Sequence, residues 1–181
     1  MSKANIITIL RILLVPIFLV ILMTEMENKE IVAFIIFLIA SLTDAVDGYI
    51  ARKFDQVTDL GKFLDPIADK LLITAALIAL VSIDVIETWV ASIIILREIF
   101  ITAFRFYFLM KDASFSASRI AKNKTTFQII AISILIIYKK LPYSDILFKI
   151  GTITLYIAVF LTVYSGVEYL IKYSTAQKNK K

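Results

Sequence analysis

Long apolar runs, broken at short intervals by small groups of charged residues, dominate this sequence and leave few folds open to it. A run of about 20 apolar residues matches the ~30 Å hydrocarbon thickness of a bilayer. Six such runs are read, at roughly Ile6–Met23, Ile31–Ala51, Asp65–Val81, Ile86–Met110, Ile120–Tyr138 and Ile146–Ile171. The clean apolar part of the fifth begins only near Phe127, and Pro16 is expected to kink the first. AVILMFWYC residues make up 60% of the 181, more apolar surface than a soluble globule of this length can bury. With only four glycines and three prolines, long helices are favoured over a strand-and-turn barrel. The expectation is an all-α polytopic membrane protein with six transmembrane helices. A single domain over 1–181 is expected, with a short polar tail at 173–181. The first run leads straight into Glu25, Glu27 and Glu30 without a small-residue cleavage pattern, so it reads as a span and not a signal peptide.

Lysine and arginine set the expected orientation. The second and fourth breaks carry Arg52, Lys53, Lys62, Lys111, Arg119, Lys122 and Lys124. The N-terminus carries Lys3 and Arg11, and the C-terminus Lys172, Lys178, Lys180 and Lys181. The remaining breaks hold only Lys29, Lys139 and Lys140 beside several acids. Both termini and these two breaks are therefore expected on the cytoplasmic side. The net charge of +5 is read as positive-inside charge beside an anionic leaflet, and no nucleic-acid partner is expected.

The chain has no cysteine and no histidine. Disulfides, thiolate nucleophiles, serine–histidine triads and histidine–metal sites are excluded. Chemistry must run on carboxylates, hydroxyls, Lys, Arg or Tyr, and a bound metal would be a hard cation such as Mg²⁺ or Mn²⁺.

Ionised residues are costly inside membrane helices, yet four acids stand out in SLTDAVDGYIARKF and the following DQVTDLGKFLDPIADKLL: Asp44, Asp47, Asp65 and Asp69. At ~100° per residue, Asp44, Asp47, Gly48, Ala51 and Arg52 share one helical stripe, and Asp65 and Asp69, four apart, share another face. Two carboxylates from each of two adjacent helices can converge. Such a cluster repels itself, and divalent cations offset the repulsion. Two-metal sites suit phosphoryl chemistry because they hold both attacking and leaving oxygens. Gly48 and Ala51 clear bulk from the stripe, Gly61 does so in the expected connecting loop, and Arg52 offers a donor fork for phosphate. Asp65 before Pro66 has the pattern of an N-cap followed by proline at the first helical position. The plainer reading is that acids of this kind only mark a cytoplasmic helix end.

The spacing Asp44, two residues, Asp47-Gly48, two residues, Ala51-Arg52, eight residues, Gly61, three residues, Asp65, three residues, Asp69 resembles the signature of the CDP-alcohol phosphatidyltransferases. The resemblance implies transfer of the phosphatidyl group of CDP-diacylglycerol to an alcohol with release of CMP, using two divalent cations, Mg²⁺ or Mn²⁺. It implies that Asp44, Asp47, Asp65 and Asp69 are metal ligands and that Asp69 is also the base for the acceptor hydroxyl. Gly48, Ala51, Arg52, Gly61 and Thr58 would frame the CDP-diacylglycerol head. Asn5 and Thr8 resemble an Asn/Thr pair near the diphosphate, with Ala4 where the family has proline. A homodimer in the bacterial inner membrane, with its active site at the cytoplasmic face, is also implied.

Charges recur in the fourth and fifth runs: Arg97-Glu98, Arg105, and Lys122-x-Lys124-Thr125 after Arg119. A cationic pocket suits an anionic acceptor. The arrangement resembles the branch of the family that takes sn-glycerol 3-phosphate, with Ala121 where a glycine is common. On that likeness Arg97, Arg105, Lys122, Lys124 and Thr125 would bind the acceptor phosphate. Other acceptors weighed are inositol phosphate, serine and phosphatidylglycerol. From a different class, a cation transporter would also use intramembrane acids, but near the midplane. Trp89, Tyr138, Tyr143, Tyr169 and Tyr173 sit where an interfacial aromatic belt is expected. Tyr156 and Tyr164 lie mid-span, within reach of hydrogen bonds between helices.

Overall fold

The computed structural model describes the backbone of residues 3–53, 59–109 and 119–178, with the side chains of 8–43, 68, 70–104 and 123–171. Each apolar run folds as a helix: α1 (Lys3–Met23), α2 (Lys29–Lys53), α3 (Asp59–Ser82), α4 (Thr88–Leu109), α5 (Arg119–Ile137) and α6 (Ser144–Lys178). A single 3₁₀ turn, Tyr138–Lys140, follows α5. No strand occurs among the described residues, so the all-α expectation holds.

Two local expectations are corrected. Helix α3 begins at Asp59, so Asp65 is not an N-cap and Gly61 lies in the helix, not in a connecting loop. Leu60, Phe63, Leu64 and Ile67 carry the helical apolar spacing back through the proline. A proline inside a packed membrane helix is tolerated because neighbours compensate its missing N–H. Helix α1 likewise runs unbroken through Pro16.

The far end of α3 closes with a left-handed residue. Asp84 has φ 56°. Its N–H donates to Val81 O at 3.0 Å, and the Val85 N–H donates to Leu80 O at 2.9 Å. These are the two bonds of a Schellman cap, with Asp84 in the place glycine usually takes. Val85, the next residue, is buried under the cap.

Helix α1 lies against both α2 and α3, α5 pairs with α6, and α4 is held between α3 and α6. The α3 core face is rich in small residues: Ala68, Ala75, Ala76 and Ala79 are buried with Leu72 and Leu80. Small residues let helix backbones approach closely, which is where van der Waals packing acts when lipid supplies no hydrophobic drive. Phe18 of α1 and Phe37 of α2 fill the space between them, with ring centroids 6.0 Å apart. At the opposite end from the acids, Lys140 Nζ donates to Glu27 O at 2.6 Å and lies 3.9 Å from Glu30.

The outside is apolar. Leu10, Leu13, Ile17 and Val20 of α1 are exposed, as are Ile153, Phe160, Val167 and Ile171 of α6. Residues Ser144–Ile171 form a helix long and apolar enough to cross a bilayer. The fully described stretches of α1 to α5 are each shorter than the ~20 residues that a span needs. Tyr156 stacks on Trp89 at 6.0 Å and Tyr164 on Phe160 at 6.4 Å, so both mid-span tyrosines make ring contacts on an exposed face.

Candidate active site

Backbone register brings the acids to one end of the bundle. Helices α1 and α2 are joined by only residues 24–28 and α2 and α3 by only 54–58, and both pairs are in contact. Such links are too short to recross a helix, so neighbours run antiparallel. Along α2 and α3, Asp47 lies six residues before Lys53 and Asp65 six after Asp59, which puts both about 9 Å from the link. Asp44 and Asp69 stand nine and ten residues from the same ends, one turn deeper at about 14 Å. Thr8 is fifteen residues from the end of α1, and Asp44 fifteen from the start of α2, so these two also share a level.

The helical faces agree with this register. Ala33, Phe37 and Ala40 form the buried stripe of α2. Steps of three and four continue it through positions 44, 47 and 51. On α3 the buried stripe of Ala68, Leu72, Ala75 and Ala79 continues back through positions 65 and 61, and position 69 joins it through Leu72 and Ile73. The side chains of Asn5, Asp44, Asp47, Gly48, Ala51, Arg52, Gly61, Asp65, Asp69, Arg105 and Lys122 lie outside the described residues, as does Thr58 entirely.

Helix α1 adds a residue that sequence reading misplaced. Arg11 counted as positive-inside charge, yet it is 1% exposed, and Thr8 beside it is also 1% exposed. The stripe Thr8, Arg11, Val15, Phe18 and Leu22 is buried along its length. The i, i+3/i+4 spacing of Arg11 with Thr8 and Val15 was the available signal.

A second polar cluster joins α4, α5 and α6. Arg97 Nη1 donates to Glu98 Oε1 at 3.1 Å, and Arg97 Nη2 donates to Ser165 Oγ at 2.8 Å. Lys124 Nζ donates to the same Glu98 Oε1. The side chains of Arg97, Glu98 and Lys124 are 13%, 15% and 7% exposed. One turn along, Gln128 Nε2 donates to Thr162 Oγ1 at 3.2 Å, and Ser165 Oγ donates to Thr162 O at 3.1 Å. Buried charges persist when they are paired and hydrogen-bonded, and here one carboxylate neutralises part of two cations. Gly166 makes the room: a Cβ there would lie 3.2 Å from Arg97 Nε.

This cluster borders α3 directly after Asp69. A small cavity of about 20 Å³ is walled by Lys70 and Thr74 of α3, Glu98 of α4, and Thr125 and Gln128 of α5. Of the residues expected to bind the acceptor, the fold thus brings together Arg97, Lys124 and Thr125. Sequence reading missed Lys70, Gln128, Thr162, Ser165 and Gly166. Lys70 and Gln128, polar residues inside apolar runs, were the available signals; the other three are unremarkable until α6 is laid beside α4 and α5.

Comparison with known proteins agrees with the motif. The family model described as CDP-alcohol phosphatidyltransferase matches residues 1–164. A Bacillus subtilis CDP-diacylglycerol–glycerol-3-phosphate 3-phosphatidyltransferase is 43% identical over 180 residues, covering 93% of both chains. The enzyme of that name from Rickettsia felis is 39% identical over 168 residues, covering 91% of both. A probable phosphatidylglycerophosphate synthase from Mycobacterium tuberculosis is 37% identical over 174 residues, covering 94% of this chain and 81% of the other. The chain belongs to the CDP-alcohol phosphatidyltransferase family.

Proposed function

We propose that this chain transfers the phosphatidyl group of CDP-diacylglycerol to sn-glycerol 3-phosphate, giving phosphatidylglycerophosphate and CMP. The carrying observation is the buried Arg97–Glu98–Lys124 cluster, which shares a cavity wall with Lys70, the residue next to Asp69. A cationic seat for a phosphorylated alcohol then adjoins the acid that would receive its proton. The names of the relatives support this acceptor.

The donor set fits divalent cations: four carboxylates at two matched levels of a helix hairpin, hard oxygen ligands without a nitrogen or sulfur among them. Asp44, Asp47, Asp65 and Asp69 would hold two ions, Mg²⁺ or Mn²⁺. Bound there, the cations supply charge that offsets the diphosphate and the developing CMP leaving group. Asp69 takes the proton from the acceptor hydroxyl as that oxygen attacks the β-phosphorus of the donor. Arg97, Arg105, Lys122, Lys124 and Thr125 orient the acceptor through its phosphate. Asn5, Thr8, Gly48, Ala51, Arg52, Thr58 and Gly61 seat the CDP head, with small residues where the ligand approaches the backbone.

The wider arrangement proposed is six transmembrane helices with both termini cytoplasmic, in the bacterial inner membrane, as a homodimer. The acids sit in the halves of α2 and α3 nearer their link, the end that carries Arg52, Lys53 and Lys62, which supports a cytoplasmic site and an edge position over a transporter's midplane. The test is product formation by purified protein in mixed micelles with CDP-diacylglycerol, glycerol 3-phosphate and Mg²⁺ or Mn²⁺. Equimolar CMP and phosphatidylglycerophosphate, stopped by a chelator, are expected. Failure to form either product overturns the proposal.

A further inference from the structure

Glu98 has no part in the transfer described above, yet it sits at the centre of the acceptor cluster. A single oxygen, Oε1, accepts from both Arg97 and Lys124. In this arrangement the carboxylate occupies the place between the two cations where an anionic group of a ligand would gain most. Beside it lies the small cavity, about 20 Å³ and so sized for roughly one water. Its other polar walls, Lys70, Thr74, Thr125 and Gln128, all carry donors. A displaced carboxylate therefore has a polar site to turn into on the side of α3.

From this geometry we infer that Glu98 is an exchangeable counterion: it holds the acceptor-phosphate seat in the empty enzyme and swings toward Lys70 and Thr125 when a phosphate enters. The inference rests on the acceptor reading given above. It makes Glu98 a positioning and specificity residue and not a catalytic one. A phosphate dianion offers Arg97 and Lys124 more charge than the carboxylate does and displaces it. A neutral alcohol offers none and leaves the seat closed. Burial strengthens the selection, because two cations stripped of water bind whichever anion is available. The pairing also explains how two buried cations persist before substrate arrives.

The test compares wild type with Glu98→Gln, which keeps shape but removes the competing charge. CMP release is followed with glycerol 3-phosphate as acceptor and inorganic phosphate as competitor. The expected result is a KM for glycerol 3-phosphate and an inhibition constant for phosphate both lower by roughly tenfold, with kcat reduced because phosphatidylglycerophosphate, held by its phosphate monoester, leaves slowly. Discrimination against free glycerol should widen, because only the charged acceptor competes with the carboxylate for the two cations. A tether that only holds the cations in place gives the opposite sign: both constants rise in Glu98→Gln, and the inference falls. Should that variant not fold, wild-type protein carrying ¹³C-carboxylate glutamate serves. Inorganic phosphate must shift a glutamate carboxylate band in the infrared difference spectrum, and an unshifted band at saturating phosphate overturns the inference. Failure of the acceptor reading looks different: wild type itself then releases no CMP with glycerol 3-phosphate.

Discussion

Gly166 of α6 is the clearance against which the Arg97 side chain lies, with space for a Cβ only 3.2 Å from Nε and 3.6 Å from Cγ. Arg97 is also bonded to Ser165 on the same helix. Helix α6 thereby sets where a cation of α4 sits, although it carries no charged residue of the proposed site.

A methyl at 166 should act on substrate binding more than on folding. Gly→Ala within a helix gains about 1 kcal/mol of intrinsic propensity, which offsets part of the crowding. Gly166→Ala is expected to keep its melting temperature within a few degrees and to raise the KM for glycerol 3-phosphate about three- to tenfold. Gly166→Val should raise it further. Steady-state kinetics with thermal unfolding in detergent checks both.

The buried ion pairs separate stability from function. Lys124→Met leaves Glu98 with one partner fewer and should destabilise by up to about 3 kcal/mol. Adding Glu98→Leu removes the stranded charge and should recover most of that loss, but not turnover with glycerol 3-phosphate. Unfolding measurements on both variants, beside activity, decide this. Full activity in the double variant contradicts the acceptor role of the cluster.

The four acids should divide by role. Asp69→Asn keeps the shape and removes the base, so kcat is expected to fall by about 10²- to 10⁴-fold with CDP-diacylglycerol still bound. Asp44→Asn, Asp47→Asn and Asp65→Asn should instead raise the metal concentration required for half-maximal rate. Metal titrations of each variant with equilibrium donor binding test the division.

Asp84 carries a left-handed backbone at the end of α3 opposite the acids. Asp84→Gly should stabilise by about 0.5–1 kcal/mol, and Asp84→Val should destabilise by at least as much. Neither should change the KM for either substrate, since the cap lies at the other end of the helix. Thermal melts with parallel kinetics check this.

Much of the architecture was legible because one physical signal repeats along the chain. Apolar runs of span length gave six helices, and the observed bounds differ by three residues or fewer except at the end of α6, which runs on to Lys178, and at the start of α3. There the Asp65-Pro66 pattern suggested a helix start six residues late, because proline at a first turn outweighed the apolar spacing of Leu60, Phe63 and Leu64. The acid motif stood out because four acids within apolar runs of sequence are expensive, and it pointed to the family that the comparisons show. Arg11 was misplaced because its charge was counted without its register, which puts it on the buried face of α1. The role of Glu98 as shared partner of Arg97 and Lys124 needed the fold, since the two cations are 27 positions apart in sequence. Ser165 and Gly166 were invisible for the same reason: their meaning comes from α6 packing on α4.

The most direct measurement is the rate of CMP release from CDP-diacylglycerol under saturating metal, with glycerol 3-phosphate, inositol phosphate, free glycerol, serine and phosphatidylglycerol offered in turn. The account predicts release with glycerol 3-phosphate, negligible release with the uncharged alcohol, and loss of the preference when Arg97 and Lys124 are replaced by Gln and Met. Equal release with glycerol and glycerol 3-phosphate, or release unaffected by those replacements, would contradict it.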